Sequence, residues 1–242
     1  FINGQTLSEV LTEVRKLQAD HGFKHADAGA SSGERPHAEN AASWLTDPAH
    51  ETTPSESKAP YYRNIAAIGM QIASALYYAH TSGVLHRDIK PSNLILDANG
   101  SVWITDFGLA KTTGDEELTF SGDLMGTLPF MAPERFRGWS DPRSDIYSLG
   151  ITLYQMVTLK PAFSSSSRGS LIKKITTEDP APPRKIVPHL PRDLETIILK
   201  AIEKEPESRY QTAQAMEADL EAFAADKPIT ARRISPVERM WR

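Results

Sequence analysis

The stretch His86-Arg87-Asp88-Ile89-Lys90-Pro91-Ser92-Asn93 decides the fold. It lies between two short apolar runs, Val84-Leu85 and Leu94-Ile95-Leu96, which read as strands. A third run, Val102-Trp103-Ile104, follows Asn99-Gly100, a dipeptide favoured in hairpin turns, and leads into Asp106-Phe107-Gly108. Two carboxylates, Asp88 and Asp106, and the amide of Asn93 are thereby expected at strand ends of one small sheet, where they can converge.

Working outward, residues 61–80 carry Ile65, Ile68, Ile72, Leu76 and Ala79 at helical spacing, and Gly83 ends that helix. Residues 106–142 show no clear periodicity, and so long a loop in a compact domain is usually functional. Helices are expected again near 143–158, apolar on every side, and near 170–176, 193–203 and 212–225, with a proline-rich link over 179–191. At the other end, Leu7, Val10, Leu11, Val14 and Leu17 predict a helix, with Thr6 and Glu9 placed for a capping box. Residues 19–60 are rich in Ala, Ser, Gly, Pro, Glu and His. They offer too little apolar surface to offset the entropy of ordering and read as a mobile insertion; the alternative is a short structured excursion docked by Trp44.

Bulk properties remove several function classes. The 242 residues carry a formal net charge of −4, which argues against a nucleic-acid binder. With no cysteine, neither a disulfide framework nor a thiolate metal site can form. No run of 18 apolar residues is present to span a bilayer, and the N-terminus carries no signal-peptide pattern. A chain that starts with Phe1 is expected to be a fragment. The tail from Lys227 holds Arg232, Arg233, Arg239 and Arg242 beside Met240 and Trp241. It reads either as a solvated basic end or as the lead-in to a membrane anchor beyond Arg242.

Phosphoryl transfer from ATP needs one carboxylate to orient a hydroxyl nucleophile, and a carboxylate and an amide to hold magnesium on the phosphates. His86 to Asn93 spells H-R-D-x-x-x-x-N, Asp106-Phe107-Gly108 spells D-F-G, and Ala132-Pro133-Glu134 spells A-P-E. With Asp145-Ile146-Tyr147-Ser148-Leu149-Gly150 and Arg209 in Glu205-Pro206-Glu207-Ser208-Arg209-Tyr210, this order closely resembles eukaryotic-type (Hanks-type) serine/threonine protein kinases, and residues 126–163 and 233–241 resemble bacterial multidomain ones.

The resemblance implies a C-terminal kinase lobe, mainly α with a few short β-strands. It divides the chain into a hinge remnant and helix over 1–18, a flexible insertion over 19–60, the lobe over 61–226 and the basic tail over 227–242. No Gly-rich phosphate loop and no V-A-I-K lysine occurs, so the N-terminal lobe is expected to be missing. By the same resemblance Asp88 orients the substrate hydroxyl, Lys90 steadies the transferring phosphate and Thr127 positions substrate. Asn93 and Asp106 hold magnesium ions, and Ile95 forms the floor beneath the adenine of ATP. His86, Phe107, Glu134, Asp145 and Arg209 take structural roles. Arg87 combines a structural role with gripping a phosphate on the activation segment, for which Thr119 and Ser121 lead over Thr112 and Thr113.

Lys90 and Thr127 match the branch that phosphorylates Ser and Thr on protein substrates. The implied location is cytoplasmic, with tethering to the inner face of a membrane as the tail's second reading. Two other readings compete. A pseudokinase-like scaffold is opposed by the intact Asp88, Asn93 and Asp106, and a small-molecule kinase by the long activation segment with its A-P-E.

Overall fold

The computed structural model describes residues 4–21, 41–46, 60–107 and 124–231. The strands are β1 (Gly4–Thr6), β2 (Leu94–Asp97) and β3 (Val102–Ile104). The helices are α1 (Leu7–His21), α2 (Ala41–Thr46), α3 (Pro60–Thr81), α4 (Leu124–Thr127), α5 (Pro142–Thr158), α6 (Arg168–Thr177), α7 (Pro183–Ile186), α8 (Arg192–Ala201) and α9 (Ala213–Ala224). Single 3-10 turns cover Pro91–Asn93, Leu128–Phe130, Pro133–Arg137 and Pro206–Ser208.

The centre is helical. Ile65, Ile68, Ile72 and Leu76 bury the expected stripe of α3, against α9 above all and against α5. Helix α5 is buried nearly all round, from Ser144 to Thr158. Asp141 caps it through a reciprocal pair with Ser144. The expected capping box at the start of α1 also forms: Glu9 accepts from the Thr6 amide at 2.8 Å, and the Glu9 amide donates to Thr6 Oγ1 at 3.3 Å. Leu7, Val10, Leu11 and Val14 are buried, whereas Leu17, counted in the same stripe, is exposed.

The sheet is antiparallel in the order β1-β2-β3. Alternation along β2 sends Leu94 and Leu96 into the core and leaves Ile95 half-buried on the opposite face, paired with Trp103. Val84-Leu85, expected as a strand, joins no ladder. Strand β2 instead pairs with β1, at the start of the segment read as a hinge remnant and helix; Gly4 pairs with Asp97. A Cβ on Gly4 would stand 2.7 Å from Ile95 Cγ2 and 2.9 Å from the Leu96 carbonyl, so glycine is what permits this pairing.

Two segment boundaries differ from the sequence reading. Within the stretch read as a mobile insertion, Ala41–Thr46 form α2 and bury Ala41, Ala42, Trp44 and Leu45 in the main core. The rest of that stretch beyond α1 and before α3 lies outside the described residues. The stretch read as a tail from Lys227 is bound into the fold as far as Ala231, which is 8% exposed. Buried Asp219 on α9 holds this end, accepting from the Thr230 amide and hydroxyl, the Ala231 amide and the Tyr210 hydroxyl. No helix among the described residues is long and apolar enough to cross a membrane.

Candidate active site

The loop from His86 to Asn93 is shaped by one buried carboxylate. Asp145, in the first turn of α5, accepts from the His86 amide at 2.9 Å and the Arg87 amide at 2.8 Å. His80, at the end of α3, completes its shell at 2.9 Å. This grip holds Arg87 at φ 67°, a left-handed conformation that costs a non-glycine residue about 1–3 kcal/mol. His86 is fully buried. Its Nδ1 accepts from the Asp88 amide at 3.2 Å, so Nε2 carries the proton and donates to the Thr105 carbonyl at 2.9 Å. Its ring stands edge-on to Phe107 at 4.7 Å. A histidine so engaged is packed and hydrogen-bonded, with neither nitrogen left for proton shuttling.

Four polar side chains meet beyond it. Asp88 Oδ2 receives Asn93 Nδ2 and Lys90 Nζ, each at 2.9 Å. Lys90 Nζ also donates to Thr127 Oγ1 at 2.7 Å, bringing in the segment that precedes Ala132-Pro133-Glu134. Thr127, read as a substrate-positioning residue, bonds Lys90, which bridges to Asp88. Asp88 Oδ1 is buried with no hydrogen-bond partner among the described residues. A buried acceptor left empty in a native fold calls for an explanation.

Asn93 also donates Nδ2 to the Asp88 carbonyl at 2.8 Å, which turns its amide oxygen the other way. Asp106 follows Thr105, whose amide donates to the Asn93 carbonyl at 2.9 Å, so the two segments lie side by side. Asp106 is exposed and also left-handed, at φ 57°. Among the described residues no group of three or more His, Asp or Glu side chains could cage a metal ion. Thr112, Thr113, Thr119 and Ser121 lie outside the described residues.

Behind the loop, Glu134 and Arg209 form a buried two-pronged ion pair at 2.7 and 2.8 Å. Burial works against the Glu134 charge, but the Arg209 bonds and the Ser144 hydroxyl at 2.6 Å outweigh it and hold the carboxyl below its usual range. Sequence reading missed Arg135, next to Glu134. Its Nη1 donates to the Arg87 carbonyl. Burial pushes its guanidinium below its usual range, and the Asp145 and Asp88 carboxylates oppose that push. Its place directly after A-P-E was visible, but nothing in the sequence says which way it turns. His80 was missed for the same reason.

Known proteins share this arrangement of sequence. The family model described as "Protein kinase domain" matches residues 46–220. A probable serine/threonine-protein kinase of Clostridium perfringens is 39% identical over 170 residues, covering 70% of this chain and 25% of that protein. Serine/threonine-protein kinase PknB of Mycobacterium tuberculosis is 40% identical over 163 residues, covering 66% of this chain and 26% of the relative. The chain thus spans about a quarter of these relatives' length. Among solved structures, Rad53 1-466 in complex with AMP-PNP matches with TM-score 0.54 and 29% identity, over 64% of this chain and 39% of that one. With 175 of its 242 residues inside the family model, running from the end of α2 into α9, this chain belongs to the protein kinase domain family.

Proposed function

We propose that these residues form the catalytic lobe of a protein serine/threonine kinase that uses ATP and magnesium. The observation that carries the proposal is the unfilled Oδ1 of Asp88, set beside an Oδ2 already tied to Lys90 and Asn93. A substrate hydroxyl is the donor that oxygen lacks. Asp88 orients it and takes its proton as the serine or threonine oxygen bonds to the γ-phosphorus and ADP departs. Lys90, held by Thr127, places positive charge where the transferring phosphoryl group gathers negative charge.

The donor set suits magnesium. Asp106 offers a carboxylate and Asn93 an amide oxygen that its bonds to Asp88 do not use and that accepts only a long 3.4 Å bond from the Ser92 hydroxyl. Two hard oxygen donors leave the other positions to phosphate and water, as magnesium prefers. Magnesium bound there would neutralise charge on the phosphates. Ile95, on the outer face of β2, supplies the apolar floor for adenine.

The 242 residues contain no Gly-rich loop and no V-A-I-K lysine, the parts that cover and grip the nucleotide phosphates in this family. Positioning contributes roughly 7–11 kcal/mol of barrier lowering, so this chain alone is expected to transfer no detectable phosphate. Radiolabelled ATP and a generic Ser/Thr protein substrate test both statements. The full-length protein should label the substrate and lose that activity on Asp88→Asn. Full activity of the Asp88→Asn protein would refute the reading, and Asp88-dependent transfer by the 242-residue chain would refute the need for the missing parts.

A further inference from the structure

Asp88 reaches its position through the peptide bond that precedes it, and that bond is held at both ends. Its N–H donates to His86 Nδ1 at 3.2 Å, and its carbonyl, that of Arg87, accepts from Arg135 Nη1. Arg87 itself is held in the left-handed region, with its own amide bound to Asp145. A residue in that region persists only where its surroundings over-determine it. Asp145 fixes the N-terminal side of Arg87, and Arg135 fixes the C-terminal side.

The way Arg135 gets there is built into the turn Pro133–Arg137. Glu134 runs back to Arg209 on one side, while Arg135 runs forward to the loop on the other. The turn therefore joins the end of the A-P-E segment to the backbone of the catalytic loop. Asp145 does not need Arg135 as a donor, since its oxygens already receive the His86 and Arg87 amides and His80. The Arg87 carbonyl is what Arg135 serves.

We infer that Arg135 is a positioning residue: it sets the plane of the Arg87–Asp88 peptide, and through that plane the direction of the Asp88 carboxylate. The inference deepens the kinase reading and rests on it for its effect on rate. A misplacement of about 1 Å at a reacting group can lower rate on the order of 100-fold, without weakening the binding of a nucleotide that Arg135 does not touch.

Three full-length proteins decide it: unsubstituted, Arg135→Met and Arg135→Lys. With the methionine, kcat should fall on the order of 100-fold while KM for ATP stays unchanged; with the lysine, which keeps a charge and a donor, most of the rate should return. In parallel, backbone amide exchange in the 242-residue chain should quicken at residues 86–90 with methionine and not with lysine, while α9 exchanges as before. Unchanged kcat in Arg135→Met overturns the inference. So does a loss of rate accompanied by faster exchange everywhere, which would mark Arg135 as a stabilising residue only. If the unsubstituted full-length protein transfers no phosphate, the kinase reading fails by itself, and the exchange at residues 86–90 still decides whether Arg135 holds the loop.

Discussion

Arg209 uses all three of its nitrogens. Nη1 donates to Glu134 and the Arg143 carbonyl, Nη2 to Glu134 and the Lys204 carbonyl, and Nε to the Glu203 carbonyl. Its side chain is 0% exposed and that of Glu134 2%. Arg209→Ala would strand a buried carboxylate and several carbonyls. The expected loss is roughly 3–5 kcal/mol, or a melting temperature lower by about 10 °C or more, read by calorimetry. An unchanged melting curve would remove the pair from any account of stability. Acid should act on the same contact. A carboxyl held below its ordinary value of 4.5 contributes stability that is complete above that value and disappears as pH falls towards the folded value. Melting temperature should therefore drop as pH falls below about 4.5, and less steeply in Glu134→Gln, whose side chain has no such proton to gain.

Among the elements, α2 shows what periodicity can and cannot disclose. Six residues, AASWLT, are too few to display a helical period, so composition, which favours mobility, stands against Trp44, whose large ring favours docking. Contacts supply what the pattern lacked. Asn64 Nδ2 donates to the carbonyls of Trp44 and Leu45, and the Trp44 ring lies over Gly100 in the turn between β2 and β3. Gln71 pins that turn from α3, donating to the Gly100 carbonyl and accepting from the Val102 amide. Gly100 sits at φ 80°, and a Cβ there would fall 2.1 Å from the indole. Trp44→Ala is expected to cost about 3–5 kcal/mol, the range for truncating a buried aromatic. Replacing residues 22–40 with a short linker should leave the urea midpoint nearly unchanged, because their composition offers little apolar surface to lose. Equal midpoints for Trp44→Ala and the unsubstituted chain would return α2 to the surface.

For the whole molecule, what could be read in advance follows the kind of constraint involved. Long helices such as α3 and α5 declare themselves because one face, or every face, must be apolar. The residues around Asp88 stand out because their ordered motifs are specific, and the fold brings Asp88, Lys90, Asn93 and Thr127 together. Contacts set by the final packing do not: β1 exists only because Gly4 can approach β2, and Asp219 looks like any polar residue on an amphipathic helix until the chain end folds over it. That last contact moves the C-terminal boundary of the folded unit. A chain ending at Asp226 would leave Asp219 without Thr230 and Ala231, for an expected loss of about 3 kcal/mol relative to one ending at Ala231. Identical melting of the two truncations would show that residues 227–231 contribute nothing.

The clasp on Asp219 also has a mechanical meaning. Force applied to the chain beyond Ala231 does not arrive at the last turn of α9, where a helix could unzip residue by residue. It arrives first at the bonds of Thr230 and Ala231 to one carboxylate in the middle of that helix, braced from behind by the Tyr210 hydroxyl. Bonds pulled together share load that bonds pulled in sequence would take one at a time. Helix α9 in turn lies along α3, whose far end carries His80 and its link to Asp145. A tug on the chain end is thus received by the framework that shapes the loop at Asp88, and Asp219 is the peg to which the line is tied.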